Sequence, residues 1–157
     1  MHPFIRLVLV AVAGVALLAC APRRPNTVYS HAADGRLTRS DVLFEEGDAE
    51  LKVAARRDLS AIVDYLKQHP DQRVLIEGHT DSTQTEASNH DLALRRGTAV
   101  ETFLLRNGID PQRIEVRGVG AERPAASNAT SSGRRQNRRV ELIISEPGRP
   151  SPTRVDG

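Results

Sequence analysis

Residues 73–116 read RVLIEGHTDSTQTEASNHDLALRRGTAVETFLLRNGIDPQRIEV, and this stretch decides the fold. Arg73 to Glu77 is a short aliphatic run stopped by Gly78, which reads as a strand. A polar loop follows. Over residues 87–106 the apolar positions then fall on helical spacings: Leu92, Ala99 and Phe103 form one line, and Ala93, Val100 and Leu104 the next. Asn107-Gly108 is a helix stop and Asp110-Pro111 a turn. Ile114 and Val116 alternate with polar neighbours, as a half-buried strand does. The unit is strand, helix, strand.

Working outward, Leu51, Ala55, Leu59, Ile62, Val63 and Leu66 place an amphipathic helix over residues 48–68, ended by Pro70. The apolar run Val42–Phe44 before it reads as a strand. After residue 116, Gly118, Gly120, Pro124 and Asn128 imply a long loop, and Val140–Ile144 a last strand. The order β-α-β-α-β-loop-β predicts a two-layer α/β (α+β) domain with its helices on one face of a mixed sheet. Its bounds are residues 37–146. Residues 20–36, rich in proline and small polar residues, read as a tether reaching at most ~60 Å at ~3.3–3.6 Å per residue. Residues 147–157 read as a disordered tail.

Composition narrows the function. Among 157 residues there is no Trp and aromatics make up 3%, so a base-stacking platform is not expected. One cysteine excludes an internal disulfide and a zinc site built of several thiolates. The net charge is only +2, and twenty of the 22 cations are arginine, the residue suited to bidentate contacts with carboxylates. Leu7–Ala19 is an apolar run of signal-peptide length, too short to span a bilayer comfortably. It ends in Leu17-Leu18-Ala19-Cys20, which resembles the bacterial lipoprotein cleavage box. That resemblance implies a signal peptide over residues 1–19 and a lipidated Cys20, and Ala21 in place of Asp implies sorting to the outer membrane.

One residue fits the second helix badly. Arg96 lies four residues from both Leu92 and Val100, along the edge of the apolar stripe, with Asn89 two turns earlier on nearly the same side. Either it snorkels to solvent, or its guanidinium points into a cleft beside the strand end, where Gly78-His79-Thr80-Asp81 leaves the sheet. Ligands of open α/β sheets commonly bind beyond the carboxyl ends of the strands. Asp81 and Arg96 then form either a two-sign site for a zwitterion or a plain salt bridge closing the loop onto the helix.

Enzymatic readings are poor. His79 and Asp81 sit at a spacing common by chance, with His69 and His90 available, but there is no HExxH-like constellation. Ser82 has no visible triad, and Gly118-x-Gly120 lacks the rest of a phosphate loop. Arg134, Arg135, Arg138 and Arg139 form a basic cluster, yet acidic residues nearly balance it and the export signal argues against nucleic acid.

The blocks GHTD (78–81), Asn89-x-x-Leu92, Arg95-Arg96, ERPAASN (122–128) and NRRVE (137–141) together resemble the OmpA-like C-terminal domain, over residues 37–145. The resemblance implies a non-enzymatic, cofactor-free and metal-free domain that binds peptidoglycan noncovalently through the meso-diaminopimelate of the stem peptide. By position it implies Asp81 and Arg96 as the residues holding diaminopimelate's charged groups, Thr80 and Asn89 as polar contacts, Leu92 as pocket wall and Arg138 as a further basic residue. It implies a lipoprotein tying the outer membrane to the wall from the periplasmic side; the alternative is a regulatory or scaffold lipoprotein of an envelope complex. Three positions depart from the family pattern: Gln84 where Gly is common, Ala93 for Ser, and Gly97 for Ala. Glycine inside a helix costs ~1 kcal/mol relative to Ala.

Overall fold

The computed structural model describes residues 30–31 and 37–145. Its elements are β1 (Ser30–His31), β2 (Leu37–Leu43), α1 (Val53–Gln68), β3 (Val74–His79), α2 (Glu86–Arg106), a 3₁₀ turn (Pro111–Arg113), β4 (Ile114–Gly120), α3 (Ser131–Asn137) and β5 (Arg139–Ile144). The strands form one mixed sheet in the order β1-β2-β5-β3-β4. Only β3 and β4 run parallel, as a strand–helix–strand unit requires. The expected α/β architecture is the one found.

Three local expectations change. Helix α1 starts at Val53 rather than near residue 48; Leu51 is buried but belongs to the preceding extended segment. The long loop after β4 contains α3, whose seven Ser-, Arg- and Gln-rich residues carry no apolar stripe to announce a helix. Thr130 caps it by accepting the Gly133 amide at 3.0 Å, and Asn137 ties it down by exchanging hydrogen bonds with the backbone of Ala126. The sheet also begins inside the segment read as tether, since Ser30 and His31 pair with Thr38 and Leu37. Cys20, the signal peptide, the rest of the tether and the tail from Pro147 lie outside the described residues.

The core is aliphatic. Leu59, Ile62 and Leu66 of α1 and Val100 and Leu104 of α2 pack on Val74 and Ile76 of β3 and on Val140, Leu142 and Ile144 of β5. Alternation along the strands sends Glu77 and Glu141, direct partners across the β3–β5 ladder, to the other face. Two glycines set how close α2 comes to the sheet. A Cβ on Gly78 would stand 2.0 Å from the carbonyl oxygen of Ala93, and one on Gly97 would stand 2.6 Å from Val116 Cγ1. The helix penalty at Gly97 is thus offset by close packing on β4. At the far end of α2, Gly108 adopts φ +86°, the left-handed geometry that ends the helix.

Candidate functional site

The site lies where β3 ends. Thr80 N–H donates to Gly120 O at 2.9 Å and prolongs the β3–β4 pairing. The chain then turns at Asp81, whose Oδ1 accepts from the Thr83 hydroxyl at 2.6 Å and the Thr83 amide at 3.3 Å. Asp81 Oδ2 accepts from Arg138 Nη1 at 3.0 Å. Both side chains are nearly enclosed, with residue exposures of 4% and 9%. Burial pushes the Asp81 carboxyl up, but the Thr83 hydroxyl and Arg138 outweigh it and hold the group below its ordinary value, so it is ionised at neutral pH.

Arg96 is neither snorkelled nor paired with Asp81. Its exposure is 0%, and its donors go to backbone carbonyls: Nε to Asp48 O at 2.8 Å, Nη1 to His79 O at 2.9 Å, Nη2 to Glu45 O at 2.8 Å. The guanidinium carbon also lies 5.3 Å from the centroid of the Phe44 ring. The alternative of a plain Asp81–Arg96 salt bridge is therefore not found, and Asp81 pairs with Arg138 instead. Backbone carbonyls, which no side-chain pattern reveals, take the donors of Arg96. Burial, with the like charge of Arg138, pulls the Arg96 pKa down to about 10 against the pull of Asp81 and Asp48, so it keeps its charge.

Arg138 also donates from Nε to Phe44 O at 3.2 Å, and the Phe44 amide donates back to Arg138 O at 2.9 Å. Thr80 Oγ1 and Asn89 Oδ1 are buried without a hydrogen-bond partner, while Asn89 Nδ2 donates to Gln84 O at 3.1 Å. Leu92 is buried on α2 between Asn89 and Arg96. Beside Asn89 runs an open groove of about 880 Å³ between the start of α2 and the end of β4, with Thr85, His90, Gly120 and Glu122 in its walls. Thr80, Asp81, Asn89, Arg96 and Arg138 thus gather at one end of the sheet, with Leu92 behind them. Phe44, Glu45 and Asp48 join through their carbonyls and were not foreseen. Thr83 was also missed; a hydroxyl two residues after an Asp could have signalled it.

The rival constellations do not assemble. His79 belongs with Glu77 and Glu141, whose ligand atoms lie within 4.8 Å of one another, and not with Asp81. Arg123 approaches Glu77 at 2.8 Å and Arg139 donates to Glu141 at 2.7 Å, so both carboxylates are already neutralised and a cation gains little there. The four-arginine cluster disperses. Arg134 donates to Asn128 O, Arg138 to Asp81 and Arg139 to Glu141, leaving Arg135 exposed on the surface.

The family model for the OmpA family matches residues 43–138, and the chain belongs to that family, one of structural and binding domains rather than enzymes. The chain is 38% identical over 128 residues to the peptidoglycan-associated lipoprotein of Pseudomonas aeruginosa, covering 75% of this chain and 76% of that protein. It is 40% identical over 105 residues to outer membrane porin F of the same organism, covering 66% of this chain but 30% of the porin, so it spans less than a third of that relative. Among solved structures, the peptidoglycan-associated lipoprotein of Burkholderia pseudomallei superposes with a TM-score of 0.65 at 30% identity, over 67% of this chain and 89% of that one. The C-terminal domain of Helicobacter pylori MotB gives the same TM-score at 23% identity, over 69% and 86%, a likeness of fold alone.

Two outcomes follow from these contacts. Lysine cannot reach three carbonyls set around a planar guanidinium, and a buried group left unmet, as the His79 carbonyl would be, costs ~1–3 kcal/mol. Arg96→Lys is expected to lower stability by at least ~2 kcal/mol in urea denaturation; an unchanged midpoint would show that the three contacts are dispensable. His79 is 1% exposed with neither ring nitrogen hydrogen-bonded, and its Nε2 is 3.8 Å from Glu141 Oε1. Burial, with Arg139 and Arg123, pushes its pKa down to about 4, against Glu141. The unfolded chain, with His near 6.5, then binds the proton first as pH falls. Stability is full above that value and falls by ~2–3 kcal/mol as pH drops toward 4. Denaturation at pH 7 and pH 4.5 should show this fall in the wild type and a shallower one in His79→Gln; equal falls would remove His79 as its source.

Proposed function

We propose that this chain binds peptidoglycan noncovalently through the meso-diaminopimelate of the stem peptide. The observation that carries the reading is a buried, ionised Asp81–Arg138 pair flanked by two buried oxygens, Thr80 Oγ1 and Asn89 Oδ1, that have no partner. The free end of diaminopimelate in a stem peptide offers one ammonium and one carboxylate. The ammonium, with three donors, suits Asp81 and the two open oxygens. The carboxylate enters the joint field of Arg138 and Arg96. Arg138 makes the contact, because Arg96 is enclosed by the Glu45 and Asp48 carbonyls. Exchanging one ion pair for two keeps the charges compensated, which a lone ammonium or carboxylate would not do. The reading is supported by similarity to the peptidoglycan-associated lipoprotein of P. aeruginosa and, at 37% identity over 113 residues, to the peptidoglycan-binding protein ArfA of Mycobacterium tuberculosis.

The full proposal is a lipoprotein whose acylated Cys20 sits in the outer membrane while the domain grips the wall from the periplasmic side, without cofactor, metal or nucleic acid. Several acyl chains on one residue hold far better than one. In membrane fractionation, Cys20→Ser is expected to yield soluble or unprocessed protein; an unchanged, membrane-bound mature form would refute the anchor. For the site, the measurement is pull-down of the chain on purified sacculi, with free meso-diaminopimelate as competitor. Asp81→Asn keeps shape but removes the charge, and breaking one side of a buried charged contact costs ~2–5 kcal/mol. At least a thirtyfold loss of binding is therefore expected, since 1.4 kcal/mol is tenfold. Undiminished binding by Asp81→Asn, or no competition by diaminopimelate, would overturn the reading.

A further inference from the structure

Ser82 follows Asp81 in the chain, and Asn137 precedes Arg138. Both donate to one atom. Ser82 N–H reaches Asn128 Oδ1 at 3.3 Å, and Asn137 Nδ2 reaches it at 2.8 Å. With the 3.0 Å contact from Arg138 Nη1 to Asp81 Oδ2, these bonds close a ring around the charged pair. Asn128 stands in the loop between β4 and α3, and its own hydrogen bonds go to neither charged group. The loop is firmly held. Asn137, 0% exposed, exchanges bonds of 2.9 and 2.8 Å with the backbone of Ala126. Arg134 Nη1 donates to Asn128 O at 3.0 Å, and a Cβ on Gly133 would collide with Ser127 O, so α3 lies directly against the loop.

The proposed function requires Asp81 and Arg138 to part, each taking one charged group of the ligand. Once their direct contact is given up, the hydrogen bonds that join residues 81–83 to residues 126–138, among the described residues, are those through Asn128 Oδ1. A ligand held at two points gains most when both partners already stand at the right separation, because little ordering then accompanies binding. Groups that grip a ligand must themselves be held by the residues around them. We infer that Asn128 is the positioning residue of this site. Its Oδ1 sets the separation of Asp81 from Arg138, and so favours a ligand end carrying an ammonium and a carboxylate together over one carrying an ammonium alone. The inference rests on the peptidoglycan reading and names the source of its specificity. Asn128 is only partly buried and Ser82 is exposed, so water can meet the Ser82 amide if the oxygen is removed, while Asn137 keeps both bonds to Ala126. The fold then survives, but the separation is no longer set.

The test is titration of the full chain in detergent with two synthetic tetrapeptides. One is L-Ala-γ-D-Glu-meso-diaminopimelate-D-Ala; the other has L-lysine in place of diaminopimelate, which keeps the ammonium and lacks the carboxylate beside it. Wild type is expected to favour the diaminopimelate peptide about thirtyfold, since the lysine peptide leaves one of two buried charges uncompensated. Asn128→Leu, close to asparagine in size but without the acceptor, is expected to cut that preference roughly three- to tenfold, the scale of one lost hydrogen bond, by weakening the diaminopimelate peptide alone. Asn128→Ala, which adds no bulk, is run beside it and should behave alike. Asn128→Asp keeps an oxygen acceptor at the same place and should keep the preference. Thermal melting of each variant separates positioning from folding, because a loss of fold weakens both peptides equally. A wild-type preference retained in Asn128→Leu and Asn128→Ala, equal weakening of both peptides, or the same loss in Asn128→Asp would overturn the inference while leaving diaminopimelate recognition standing. Wild type that bound neither peptide, or both equally, would remove the diaminopimelate reading and this inference with it.

Discussion

A single buried guanidinium holds the working end of this domain together. Taking an arginine fully out of water costs several kcal/mol, and such burial persists only where its donors are met. Arg96 meets three carbonyls from two separate segments: Glu45 and Asp48 in the turn after β2, and His79 at the last residue of β3. It therefore sets the position of the turn against the helix layer and of the point where the chain leaves the sheet. Thr80 and Asp81 come next in the chain, so their placement depends on the same contact. The aliphatic core could tolerate a small shift of α2 along the sheet; three directed hydrogen bonds do not.

Strand order completes the site. β5 lies between β2 and β3 and runs antiparallel to both, with Arg139 opposite Leu43 and Val140 opposite Gly78. The residue just before β5 therefore falls beside the residues just after β2 and β3. That residue is Arg138, which bonds Phe44 O on one side and the Asp81 carboxylate on the other. An ion pair spanning 57 positions in sequence thus follows from register alone.

The period of two along a strand separates two kinds of chemistry at this sheet end. On one face Glu77, His79 and Glu141 are closed off by Arg123 and Arg139, which leaves a self-compensated cluster. Beyond the strand end, the Asp81–Arg138 pair stands beside two oxygens with unmet hydrogen-bonding capacity. Buried polar atoms are normally partnered, so such atoms beside a charged pair favour an incoming donor.

The sequence by itself determined the α/β class, the two long helices and the four main strands, because these follow from local periodicity and turn chemistry. It foresaw that Arg96 was out of place on an apolar stripe. It did not reveal α3, whose seven residues carry no hydrophobic period. It treated Gly97 as a liability, because the 2.6 Å approach of Val116 belongs to a strand distant in sequence. It left open whether Asp81 and Arg96 bridge each other directly, and in the structure Asp81 pairs with Arg138 instead. Helical spacing can indicate that Arg96 faces the strand end, but not that backbone carbonyls of residues 45 and 48 will arrive there first. Carbonyls are identical at every position in a chain, and only the tertiary structure decides which of them a buried donor meets.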